Sequence, residues 1–318
     1  MNPTPIAVLS RTFSRHEVLR AELQARWSDI RFNDSDATLA GAALVEFLQG
    51  RERAIVALER IDRALLAQLP GLRIISKYGV GCDNIDLQAC AERGVRVGWT
   101  GGVNRLAVAE FTLALIIAAL RRIGEGALQL RGDGFRQLLG RQLSGRTVGI
   151  VGCGFVGSEL VRLLQPFGCR LLVHDIRDLR DFCARVGAEP VDLSTLLRRA
   201  EVVTLHVPAT PATRQMIDAE ALRLVRPDAV LINTARGGIV DEAALYEALV
   251  GKRLAAAAID VFAVEPPVDR RLARLANVIA TPHMAASTDE ARLAMGRAAI
   301  EGLETADDPL ALVPEYLR

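Results

Sequence analysis

Residues 147–157 read TVGIVGCGFVG, and the fold follows from this stretch. The run 147–151 carries no charge and is rich in β-branched side chains, as a strand buried on both faces requires. Gly152, Gly154 and Gly157 then form G-x-G-x-x-G, with Phe155 and Val156 between the last two. In such a turn Gly152 lets the chain leave the strand sharply. Gly154 removes the side chain where backbone must approach a pyrophosphate, and Gly157 lets helix and strand pack closely. The apolar pattern after Gly157 opens a helix, whose unpaired N-terminal amides suit an anion. A second strand, CRLLVHD, ends at Asp175, 18 residues past Gly157. Strand, turn, helix, strand and acid in this order predict a dinucleotide-binding unit. Asp175 suits both adenosine ribose hydroxyls and repels a 2′-phosphate, so NAD is expected over NADP. Arg177 is the nearby group with the charge to partner such a phosphate.

Outward from this unit the chain alternates strands and helices. Candidate strands lie at 6–10, 54–57, 74–77 and 95–99, and at 171–175, 202–207, 229–233, 256–260 and 278–280. Helical patterns fall between them, for example at 16–26, 157–165 and 241–250. Such alternation predicts α/β architecture. The turn-rich GWTGGVN at 98–104 and a break after His283 leave two divisions open. One is a domain of 1–100 plus 287–318 around an inserted 101–286, and the other is a single split near Gly145.

The 318 residues are about two domains' worth of chain. Half are hydrophobic and 24% are charged, a globular composition. The net charge of +1 advertises neither nucleic acid nor a basic partner. The apolar stretch 106–120 is broken by Glu110 and is short for a bilayer span, so no membrane role is expected. The opening MNPTPIAVLSRTFSRHE lacks the apolar run of a signal peptide. Five cysteines without a CxxC pair and four scattered histidines predict neither disulfides nor a metal site. A soluble cytoplasmic protein is the expectation.

Three polar residues follow predicted strands: Arg236 in INTARGGIV, Glu265 in AIDVFAVEPP and His283 in IATPHMAAS. In an open α/β sheet, ligands bind outside the carboxyl ends of the strands. Arginine grips a carboxylate bidentately. Histidine can protonate an alkoxide as hydride arrives, and a neighbouring glutamate orients the ring.

The chain also resembles the D-isomer-specific 2-hydroxyacid dehydrogenases. KYGVGCDNIDL at 77–87, VAEFTLALIIAALRR at 108–122, GCGFVG, HVPATPATR, LINTARGGIVDEAAL, AIDVFAVEPP and TPHMAAST stand in that family's order. The resemblance implies two Rossmann-like doubly wound domains, with an NAD-binding domain (101–286) inserted in a flavodoxin-like substrate domain (1–100 and 287–318). It implies Arg236, Glu265 and His283 as the catalytic set. It places Val207, Pro208, Thr213, Thr234, Ala235 and Val108 around the cofactor, with Asp260 at the nicotinamide carboxamide. Gly79, Val80 and Gly81 fall on the loop whose amides hold the substrate carboxylate, and Asn104 borders the pocket. Lys77 and Arg60 are candidates for a distal phosphate or carboxylate, and Trp99 for packing.

The same likeness implies a homodimer acting on a small 2-hydroxy or 2-oxo acid of the glycerate, hydroxypyruvate, glyoxylate or 3-phosphoglycerate class. Glu265 stands where formate dehydrogenases of this superfamily carry glutamine, so formate is disfavoured. No serine-sensing domain is expected after residue 318. Ala285 and Ala286 depart from the glycines usual after the histidine, and WTGG at 99–102 departs from the usual entry to the helix. The competing expectation is a non-enzymatic NAD(H)-sensing scaffold of the C-terminal-binding-protein type.

Overall fold

Short, uncharged, β-branched runs become parallel strands wherever helices cover both faces. The computed structural model describes residues 1–312, in two units. One comprises Met1–Asn104 and the chain from Thr288 onward; the other is Arg105–Ser287. The junctions lie within four residues of the expected 100/101 and 286/287 boundaries. The first falls later because the turn at 101–104 ends against the start of a helix, Arg105–Leu120. Residues 313–318 of the expected substrate domain lie outside the described residues.

The first unit holds β1 (Ile6–Val8), β2 (Ile30–Phe32), β3 (Arg53–Val56), β4 (Ile74–Lys77) and β5 (Arg96–Gly98). They form one parallel sheet in the order β2-β1-β3-β4-β5, the flavodoxin-like doubly wound order. Leu44, Leu48, Leu66 and Ile85 pack one face. Phe13, Leu19, Leu23 and Trp27 pack the other. The helix Asp289–Thr305 adds Ala299, Ile300 and Leu303 to that second cluster. Its seat explains why so distant a segment belongs here. A Cβ on Gly98 would collide with the Gly302 carbonyl, so the helix lies directly on β5. Ser76 Oγ donates to the Ala299 carbonyl at 2.6 Å, and Arg53 Nη1 to that of Leu303 at 2.6 Å.

The second unit holds β6 (Thr147–Val151), β7 (Arg170–His174), β8 (Ala188–Pro190), β9 (Val202–Leu205), β10 (Val230–Asn233), β11 (Ala256–Ile259) and β12 (Val278–Ala280). Their order is β12-β11-β10-β9-β6-β7-β8, and every pairing is parallel. This is the Rossmann arrangement, whose strand order reverses between β6 and β9. One apolar cluster lies on each face. The helix Arg105–Leu120 buries Val108, Thr112, Leu115, Ile116 and Ala119. Among the described residues no helix is long and apolar enough to cross a membrane.

The patterning missed β2 and β8. Both are edge strands of three residues, and neither is buried along its length. A strand paired on one side needs no continuous apolar run, so its sequence carries a weak signal.

Candidate active site

The candidate site residues of the second unit lie at the carboxyl ends of β6, β7, β9, β10, β11 and β12. Gly152 has φ +86°, and a Cβ there would come within 2.7 Å of the His206 carbonyl and Val207 Cγ1. The loop after β9, with Val207 and Pro208, therefore rests on the glycine turn itself. Thr213 Oγ donates to the Pro208 carbonyl at 2.6 Å and accepts the Thr210 amide at 2.8 Å, closing that loop. A Cβ on Gly157 would strike the Gly152 carbonyl, whereas one on Gly154 would meet nothing within 4 Å. Gly154 thus opens a space in front of the helix Phe155–Leu164, which has no side-chain cap. The amides of Phe155, Val156 and Gly157 find no acceptor among the described residues. An open cradle of unpaired amides at a helix N-terminus fits a pyrophosphate.

Asp175 sits at the end of β7. Its Oδ2 accepts the Cys153 amide at 2.8 Å, and the Arg177 side chain pairs with both oxygens at 2.8–2.9 Å. Burial opposes its ionisation, but the Arg177 guanidinium and the Arg177 and Cys153 amides prevail. They hold the acid at about 2. The carboxylate is therefore charged at neutral pH, and Arg177 is its ion-pair partner. Phe155 and Ile176, beside these groups, are both exposed apolar side chains.

His283 lies after β12, and its Nδ1 is 2.7 Å from Glu265 Oε2. The other oxygen of Glu265 accepts the Phe262 amide at 3.0 Å, which fixes the carboxylate. Arg236 lies after β10. Asn233, buried, accepts the Ala235 amide at 3.1 Å and donates to the Arg236 carbonyl at 2.9 Å. Arg236 Nη1 donates to the Ala235 carbonyl at 2.7 Å. The next residue joins the two loops: a Cβ on Gly237 would collide with the Phe262 carbonyl. The arginine loop thus lies against the loop that carries Glu265, so these three residues share one edge of the sheet.

Asp260 is fully buried, and its oxygens are taken by the histidine loop. Oδ1 accepts Thr281 Oγ at 2.6 Å and the Met284 amide at 2.9 Å, and Oδ2 accepts the Ala285 amide at 3.0 Å. The carboxylate thus ties the histidine loop to the end of β11. Thr234 is likewise buried, with its hydroxyl 2.8 Å from that of Thr112, which donates to the Val108 carbonyl. Val108 is buried at the same place, and Ala235 is half-buried. Asn233, Thr281 and Thr112 were missed by sequence reading. Each acts through a bond to a neighbour, which a single sequence does not reveal.

In the first unit, Gly79, Val80 and Gly81 form a half-buried loop after β4, and Asn104 is half-buried at the end of its segment. Lys77 is buried, with Nζ donating to the Ala57 carbonyl and, at 2.7 Å, to Asn84 Oδ1. These bonds tie Lys77 to the segments that carry Ala57 and Asn84. Arg60 is 83% exposed and only loosely paired with Asp62, at 3.4 Å, so it keeps the freedom that Lys77 lacks. Among the described residues no cluster of His, Cys, Asp and Glu is suited to a metal. Among the described residues no cysteine forms a disulfide.

Residues 113–285 match the family described as "D-isomer specific 2-hydroxyacid dehydrogenase, NAD binding domain". The chain belongs to this family. It is 40% identical over 248 residues to the D-3-phosphoglycerate dehydrogenase of Methanocaldococcus jannaschii, covering 77% of this chain and 47% of that protein. It is 41% identical over 255 residues to the glyoxylate reductase of Aeropyrum pernix, covering 77% and 76%. Among solved structures it is similar to the D-lactate dehydrogenase of Aquifex aeolicus complexed with NAD and lactic acid. That likeness has a TM-score of 0.81 and 26% identity over 95% of each chain. The chain spans about half the length of the phosphoglycerate dehydrogenases it matches. The matched region, described as the family's NAD-binding domain, contains Gly152–Gly157 and Asp175.

Proposed function

We propose that this chain interconverts a small D-2-hydroxy acid and its 2-oxo acid with NAD(H). The observation that carries the reading is the His283–Glu265 contact of 2.7 Å on the sheet edge that also bears Arg236 and the glycine cradle. NAD(H), when bound, supplies or accepts the hydride. The Phe155, Val156 and Gly157 amides take the pyrophosphate, and Asp175 takes the ribose. Arg236 pairs with the substrate carboxylate. In the first unit, the Gly79, Val80 and Gly81 backbone amides are carboxylate-binding groups in this reading. In reduction, His283 donates a proton to the oxygen on C2, and Glu265 holds the ring and offsets its positive charge. In oxidation the same ring accepts that proton. Asp260 supports the His283 loop from beneath, and Thr234 supports the wall near the cofactor.

Relatives named for glyoxylate, hydroxypyruvate and 3-phosphoglycerate favour an acid of two or three carbons. A homodimer is part of the reading. Ile123, Leu128, Leu130, Phe135 and Leu139 form a sequence-local run of exposed apolar side chains in the second unit, which a second copy would cover.

The test is NADH oxidation by purified protein with glyoxylate, hydroxypyruvate, pyruvate, 2-oxoglutarate and 3-phosphohydroxypyruvate, with NADPH in parallel. Turnover of one acid with NADH is expected. Tight NADH binding without turnover of any would overturn the enzymatic reading in favour of a sensor, and a preference for NADPH would overturn the role of Asp175.

A further inference from the structure

The loop 79–81 is anchored at both ends and held at its middle by an indole. Before it, Lys77 donates to the Ala57 carbonyl and to Asn84 Oδ1. After it, Asn84 Nδ2 donates to the Glu59 carbonyl at 2.6 Å and to that of Ala57 at 3.1 Å. The loop therefore begins and ends on one amine–amide pair, whose amine is buried. Gly79 has φ +135°, a backbone state that excludes side chains, and a Cβ there would touch Lys77 Cε at 3.4 Å. Between these anchors, Trp99 Nε1 donates to the Val80 carbonyl at 2.8 Å. The Gly79, Val80 and Gly81 amides have no acceptor among the described residues.

A trans peptide is planar, so its C=O and the following N–H point in opposite directions. The Val80–Gly81 bond is not among the cis peptides. Fixing the Val80 carbonyl on the indole thus fixes the Gly81 N–H on the side away from it. We propose that Trp99 is a positioning residue that aims the Gly81 amide at the substrate carboxylate. The inference rests on the carboxylate-binding role proposed above for this loop. Charge-assisted N–H···O⁻ bonds are directional, so a loop free to rotate its central peptide loses affinity even though its sequence is unchanged. The aim is needed equally in the ground state and the transition state, so the loss falls on KM.

The test is Trp99→Phe, which keeps an aromatic ring and removes the N–H. KM for the 2-oxo acid is expected to rise about five- to tenfold, as for one lost hydrogen bond. The kcat, the KM for NADH and the melting temperature should stay near wild type. A role in packing alone predicts the reverse pattern: a wild-type KM in Trp99→Phe and a loss of stability in Trp99→Ala. An unchanged KM in Trp99→Phe would overturn the inference while leaving the proposed function standing. Absence of turnover by the wild type with every acid tested would overturn the proposed function, and this inference with it.

Discussion

His283 occupies the left-handed region at φ +50°, where a non-glycine residue is strained by roughly 1–3 kcal/mol. Asp260 holds it there. Its carbonyl accepts the His283 amide at 2.8 Å, and its carboxylate accepts the two amides that follow. An asparagine presents an N–H₂ where one oxygen now accepts, setting donor against donor. Asp260→Asn is therefore expected to cost about 2–4 kcal/mol and to lower turnover, checked by denaturant melts beside steady-state rates. Unaltered stability would show that the buried carboxylate does not hold the loop. The three catalytic candidates were legible because arginine, glutamate and histidine stand out after strands. Asp260 was legible as a residue, but its bonds to the histidine loop were not, since they depend on which amides surround a buried carboxylate.

At the scale of elements, the glycine turn and the buried strands were readable because each follows a local rule. G-x-G-x-x-G is a steric requirement within six residues, and a doubly covered strand must be apolar throughout. The edge strands β2 and β8 obey no such rule, and pairing alone defines them. Gly237 belongs with the legible positions by type but not by reason, since its contact with the Phe262 carbonyl joins loops from two different strands. Gly237→Ala should separate the Arg236 and Glu265 loops, costing about 1–3 kcal/mol as an overpacked position. Turnover should fall more than NADH affinity, because the cradle at Gly152–Gly157 lies on other loops. Equal loss of both would place the damage in the whole sheet. The seat of the helix Asp289–Thr305 on Gly98 is a second such case: glycines at 98 and 302 gave no signal until the two backbones were seen in contact.

Across the whole molecule, acid should loosen the second unit before chemistry is considered. Burial holds His206 well below the ordinary histidine range, at about 3, and its Nε2 is 2.9 Å from Thr204 Oγ. The unfolded chain takes up a proton near pH 6.5, whereas the folded chain resists until about 3. The unfolded state then binds more protons across that window, so stability falls as pH drops through it. Asp175 adds to the loss with the same sign below about pH 4, where the unfolded acid protonates and the folded one, at about 2, does not. Melting temperatures measured from pH 7 to pH 4 should decline, and His206→Gln should flatten the decline. A parallel decline in the variant would remove His206 from this account.

The insertion of one doubly wound unit within another was legible only through family resemblance. Patterning left two divisions open, because a returning helix and a terminal one carry the same apolar face. The central claim, that His283 handles the proton of a 2-oxo acid reduction, is met most directly by one comparison. Wild type and His283→Ala should be assayed together for NADH oxidation with hydroxypyruvate and for NADH binding. The account predicts a fall in kcat of about 10²–10⁴ with NADH affinity retained. Turnover by the variant at the wild-type rate would contradict it.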